Sequence, residues 1–118
     1  MALSIPVNFR HTRSTPFWTK DTLPEALLTC HNTKAGVYGR LCVMRGAVKY
    51  IGLGITPGDT AEMEVVINAG SFGISPPQYY HKIELLTDDT CFNIDFFADP
   101  ETTLEGKGLG QVVASPKK

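Results

Sequence analysis

The side chains best able to do chemistry in this sequence are three histidines, His11, His31 and His81. His81 closes the run Gly70-Ser71-Phe72-Gly73-Ile74-Ser75-Pro76-Pro77-Gln78-Tyr79-Tyr80-His81. A glycine ends one strand, a short apolar run follows, a Pro-Pro turn comes next, and the histidine opens another strand. The prolines fix φ and stop the strand. The turn can then aim the imidazole at one end of a β structure, where a neutral ring is a natural metal ligand or proton carrier. The plain structural alternative is a ring bonded to a backbone carbonyl. His31 is the second candidate. His11 stands between Arg10 and Thr12 in a polar segment and reads as a solvated surface residue.

Two histidines alone make a weak metal shell, which usually takes three or four ligands. Side chains on a strand alternate faces. If His81 points inward, so do Ile83 and Leu85, and Glu84 points out. In the last strand Phe92, Ile94 and Phe96 form the apolar set, which puts Asn93 and Asp95 on the other face. Tyr38 and Tyr80 offer phenolic oxygens. Cys42 would ligate as thiolate, but its parity is wrong if Leu41 and Val43 face the core. Arg40 suits an oxyanion, although an ion pair at the surface or a dimer interface is the preferred reading. Phe17 and Trp18, after Pro16, read as packing against the β wall or across a dimer.

The elements that must position these residues are short strands between Gly and Pro signals. Strands are expected at Val37 to Arg45, Ala47 to Leu53, Glu62 to Asn68, Phe72 to Ser75, His81 to Leu85 and Cys91 to Phe97. Gly46 between the first two reads as a hairpin turn. Asp21 to Leu28 has a helix-start signal at Pro24, but a turn followed by a strand at Ala26 to Cys30 is preferred. Glu105 to Lys118 holds Gly106, Gly108 and Gly110 and reads as an arm or tail.

The chain has 118 residues, 42% hydrophobic, with a net charge of −1. This is one domain's worth, able to bury a core without staples. The composition fits neither disorder nor a membrane span. Near-neutral charge gives no reason to bind nucleic acid or anionic lipid. Cys30, Cys42 and Cys91 have no close spacing, against a disulfide framework and for a reducing cytosol.

Four segments, in order, resemble one family. They are Thr12-Arg13-Ser14-Thr15-Pro16-Phe17-Trp18, His31 to Gly46, Gly70 to His81, and Asp88 to Phe97. Together they resemble the TehB/YeaR-like small cupins of bacteria, a family named from tellurite-resistance proteins. The resemblance implies a single cupin barrel. Metal-binding cupins place His-x-His and a Glu ahead of a glycine on the first hairpin. Counting back from Gly46, the Glu position falls at Gly39, and the His positions fall at Lys34 or Ala35 and at Asn32 or Thr33. His31 is one or two places off that register, so the implied metal set shrinks to His31 and His81. Some TehB-type proteins join such a domain to a methyltransferase that uses S-adenosylmethionine. This sequence has no glycine-rich strand-to-helix nucleotide motif, so that activity is not carried over.

The expectations are therefore these. The fold is all-β, a single cupin-type jelly-roll barrel with little helix, spanning 1–118 with an N-terminal arm over about 1–20 and a C-terminal tail over about 105–118. The function is that of a small stand-alone cupin of the tellurite-resistance and stress-response type. It binds a divalent metal, zinc or iron, through His31 and His81 at the barrel mouth, and a small ligand or oxyanion there. Alternatives are a metal-dependent enzyme of oxygenase or lyase type and a metal-free dimeric scaffold. The missing first-motif carboxylate counts against an oxygenase. No catalytic residue is assigned. The chain is expected to be a cytoplasmic homodimer without nucleic-acid or membrane partners.

Overall fold

The computed structural model describes residues 4–58 and 60–100. Seven strands carry the fold: β1 (Arg10–Ser14), β2 (Val37–Arg45), β3 (Ala47–Gly54), β4 (Met63–Asn68), β5 (Phe72–Ser75), β6 (Tyr80–Leu85) and β7 (Cys91–Ala98). They form a four-stranded sheet in the order β1-β7-β2-β5 and a three-stranded sheet in the order β4-β3-β6. Every pairing is antiparallel. The all-β expectation holds, and the two sheets face each other as a sandwich.

The alternation read from the sequence explains the core. On β2, Gly39, Leu41 and Val43 are buried, and Cys42 between them is less so. Leu41 lies opposite Ile94 and Val43 opposite Phe92 on β7. From the other sheet Val48, Tyr50, Ile67 and Ile83 meet Leu41, Val43 and Phe92 in one cluster. Each such side chain stabilises the fold by about 1.5–3 kcal/mol through burial. On β6, His81 and Ile83 are buried and Glu84 is exposed, as period two requires.

Three expectations are corrected. The β2–β3 hairpin does not form: β2 pairs with β5 and β7, and β3 pairs with β4 and β6. The single residue between the strands, Gly46 at φ +72°, carries the chain from one sheet to the other. Gly70, at φ +86°, turns the chain the same way between β4 and β5. At such crossings the ladder is not continued around, so the structure is a sandwich of two layers and not a closed barrel. Ala26 to Cys30 is not a strand; Glu25–Leu28 is one turn of 3-10 helix. Pro24, at φ −64°, presets its entry, and Leu27 N–H donates to the Pro24 carbonyl at 3.1 Å.

The region read as an N-terminal arm is stitched to β7. β1 pairs along it, Thr15 N–H donates to the Ile94 carbonyl at 2.9 Å, and Trp18 N–H donates to the Phe92 carbonyl at 2.7 Å. The tail read at 105–118 lies outside the described residues.

Candidate functional site

The turn after Pro77 does aim His81 inward. Its backbone sits beside Gly52 on β3, and its ring stacks on Tyr50 with centroids 5.0 Å apart. Thr29 to Thr33 forms a strap across this end of the sandwich. His31 and His81 bond reciprocally through their backbones: His31 N–H donates to the His81 carbonyl at 3.0 Å, and His81 N–H donates to the His31 carbonyl at 2.8 Å. The two imidazoles, fifty positions apart in sequence, meet edge to face with centroids 4.2 Å apart.

The protonation of both rings follows from their partners. His81 Nδ1 lies 2.8 Å from the Tyr79 carbonyl and 3.2 Å from Ser75 Oγ, and His31 Nδ1 lies 2.8 Å from the Thr29 carbonyl. A carbonyl oxygen only accepts, so each Nδ1 carries hydrogen and each Nε2 is the basic atom. Ser75 Oγ continues the network to the Tyr50 hydroxyl at 3.0 Å and to Thr33 Oγ1 at 3.4 Å. Burial, and then His31 alongside, pull the His81 pKa down to about 4 against the opposing bond to Tyr79. Burial also pushes Tyr50 up to about 12. His81 and Tyr50 are therefore neutral near pH 7.

This arrangement corrects the metal reading. The histidines converge as expected, but no group of three or more His, Cys, Asp or Glu side chains capable of holding an ion occurs among the described residues. The fold supplies the His81 ring with Tyr50 and Ser75, and Thr33 beyond Ser75, all neutral hydroxyls. His81, Ser75, Thr33 and Tyr50 are buried and His31 is half-buried, so a largely enclosed network stands where an open barrel mouth was expected. Glu84 points away and lies 3.9 Å from Lys49 Nζ. Tyr38 packs its ring on Phe9, and His11 stands on β1 at the edge of the other sheet. The His81 carbonyl bond was the plain alternative in the sequence, and it is the one found. Ser75 and Tyr50 were not anticipated, although Ser75 sits within the Pro-Pro run.

A second constellation lies on the outer face of the four-stranded sheet. Asp95 Oδ2 accepts from Arg40 Nη2 at 3.0 Å, and Oδ1 accepts from Ser14 Oγ at 2.6 Å and Asn93 Nδ2 at 3.1 Å. Burial alone would raise the Asp95 pKa, but the bonds from Ser14, Arg40 and Asn93 outweigh it and hold the carboxylate ionised. The Arg40 guanidinium lies over the Phe97 ring at 4.9 Å. Cys42 Sγ stands 3.8 Å from Asp95 Oδ2, and burial first, then that carboxylate, push its thiol pKa up. Beside this cluster is an open hollow of about 280 Å³ lined by Phe17, Cys42, Val43, Met44 and Phe72 with the Gly70-Ser71 backbone. Phe17, Met44 and Phe72 are 50%, 49% and 60% exposed, a large outlay of apolar surface for one small face.

The fold and its residues match the TehB-like domain over residues 13–94, and the chain belongs to the TehB-like family. It is 47% identical over 118 residues to uncharacterized protein YeaR of Escherichia coli K12, covering 98% of this chain and 99% of YeaR. It is 34% identical over 86 residues to the probable S-adenosyl-L-methionine-dependent methyltransferase TehB of Haemophilus influenzae, covering 73% of this chain but 30% of TehB. Among solved structures, a crystallised E. coli K12 protein superposes with a TM-score of 0.79 at 50% identity, over 83% of this chain and 98% of that one. The crystal structure of TehB from H. influenzae superposes with a TM-score of 0.78 at 29% identity, over 93% of this chain and 37% of TehB. A metal-binding role has no support from these relatives: the activity named for TehB is methyl transfer, in a protein of which this match is a minor part.

Proposed function

We propose that this chain is a protein-association module that works as a homodimer through the outer face of the four-stranded sheet. The observation that carries the reading is the open apolar hollow beside Phe72 and Met44. Apolar surface of this kind marks an interaction site when it is contiguous, and aromatic, Met and Arg side chains are the types enriched where proteins meet. A second copy suits the face on electrostatic grounds. Its central charges, Arg40 and Asp95, neutralise each other within one chain. The net charge of −1 adds little repulsion between copies. An isologous contact would set the projecting Phe72 of each copy against the hollow of the other. Three free cysteines suit a reducing compartment such as the cytoplasm. No helix among the described residues is long and apolar enough to cross a membrane. Methyl transfer stays with the longer TehB protein in this reading.

Sedimentation of three proteins tests the proposal. Wild type should sediment as a dimer. Phe72→Glu, which places a charge in the apolar contact, should weaken association by about 30-fold or more, as loss of a hot spot does. Val66→Glu, at a residue 50% exposed on β4 of the other sheet, should leave the dimer intact. A monomeric wild type, or a Phe72→Glu protein as dimeric as wild type, would refute the reading.

A further inference from the structure

We propose that the His31–His81 pair is an acid-operated latch: protonation of the buried His81 ring against His31 releases the 29–33 strap from β6 and opens that end of the sandwich. The geometry carries the idea. The strap is tied down by the reciprocal His31–His81 backbone bridge and by Gln78 N–H donating to the Thr33 carbonyl at 2.7 Å. The ring of one tie lies against the ring of the other, with centroids 4.2 Å apart. Both Nδ1 atoms already hold a proton against backbone carbonyls. Acid therefore adds its proton at His81 Nε2 and sets a buried cation against the His31 ring.

Among the described residues neither ring ion-pairs with a carboxylate. Tyr50 faces His81 from β3 and Ser75 from β5, both neutral hydroxyls, and Thr33 of the strap bonds Ser75. Gly52, the β3 register partner, has no side chain. Glu62 is engaged by the Tyr79 hydroxyl at 2.7 Å, and Glu25 stands on the 3-10 turn that packs against β6 without an ion pair to either ring. The charge effects felt by His81 come from His31 and from no carboxylate. A charge buried without a paired acid is costly. The segment is poised to yield, since Gln78 holds φ +60°, a conformation that L side chains rarely adopt. Buried histidines that charge on acidification are a known way to bias a bistable contact.

Amide exchange followed by NMR tests the latch on the whole chain, with rates corrected for the intrinsic effect of pH. Between pH 7 and about pH 4.5, protection at His31, Gln78 and His81 should fall by about tenfold or more and end below that of the β2–β7 ladder amides, which open only with the whole fold. In His31→Gln the imidazole facing His81 is gone, and the loss at Gln78 and His81 should shrink to about threefold or less. The proposal is overturned if strap protection in wild type survives at pH 4.5 or stays level with that of the β2–β7 ladder. An equal loss in a folded His31→Gln protein would also overturn it. The wild-type comparison decides alone if that variant does not fold.

Discussion

His81 is the residue on which chemistry and stability meet. It is held neutral, with a pKa of about 4 set first by burial and then by His31. In the unfolded chain the same imidazole titrates near about 6.5. Between those values the unfolded state binds more protons, so stability is fully present above about pH 6.5 and is lost as pH falls towards about 4. The scale is about 1.4 kcal/mol for each pH unit of difference, or about 3 kcal/mol in all. Urea denaturation of wild type at pH 7 and 4.5 should show this loss. His81→Gln should start less stable at pH 7 and lose less on acidification; an unchanged pH slope would sever the link. Gly46 gives a second residue-level prediction. Its φ is +72°, and an added Cβ would meet the Thr90 Cα at 2.8 Å as well as the Thr87 and Thr90 hydroxyls. Gly46→Ala should cost more than about 1 kcal/mol in thermal unfolding, because backbone cannot step aside. At this scale the sequence made His81 legible through the Pro-Pro stop and the inward parity of Ile83. Its neutral company was not legible, because Tyr50 and Ser75 come from other strands whose proximity only the fold decides.

At the scale of elements, β7 organises the four-stranded sheet. It pairs with β1 on one side and β2 on the other. Phe92, 0% exposed, lies opposite Val43, packs its ring on Trp18 at 5.8 Å, and takes part in the Trp18–Phe92 backbone bridge. Phe92→Ala should destabilise the protein by about 3–5 kcal/mol. It should also loosen residues 15–18, visible as lost amide protection at Trp18 before the β3–β4 ladder is affected. A variant that unfolds with protection falling everywhere in step would show that the N-terminal segment is not hung on this residue. Six strand positions were legible from β-rich runs bounded by Gly and Pro. β1 was not, because its five residues are all exposed and carry no alternation; pairing with β7 alone makes Arg10–Ser14 a strand. The pairing of β2 with β3 was misread for a related reason. Sequence adjacency across Gly46 suggests a hairpin, whereas the apolar faces of the two strands bury each other across the sandwich.

For the whole molecule, the two sheets bury a polar network and leave an apolar hollow open on the four-stranded sheet. In the proposals made above, the histidine network serves internal order and its response to acid, and the hollow serves association. The parity that placed Cys42, Met44, Asn93 and Asp95 outward was legible in the strands. The hollow was not, because it needs Phe17 from the N-terminal segment and Phe72 from β5 on either side of β2. The most direct test of the association reading is the molar mass of the untagged wild-type chain by light scattering, from about 1 to about 100 µM, the range in which modest interfaces assemble. Twice the chain mass is expected across the upper part of this range, falling towards the monomer on dilution. A mass equal to one chain at every concentration would contradict it.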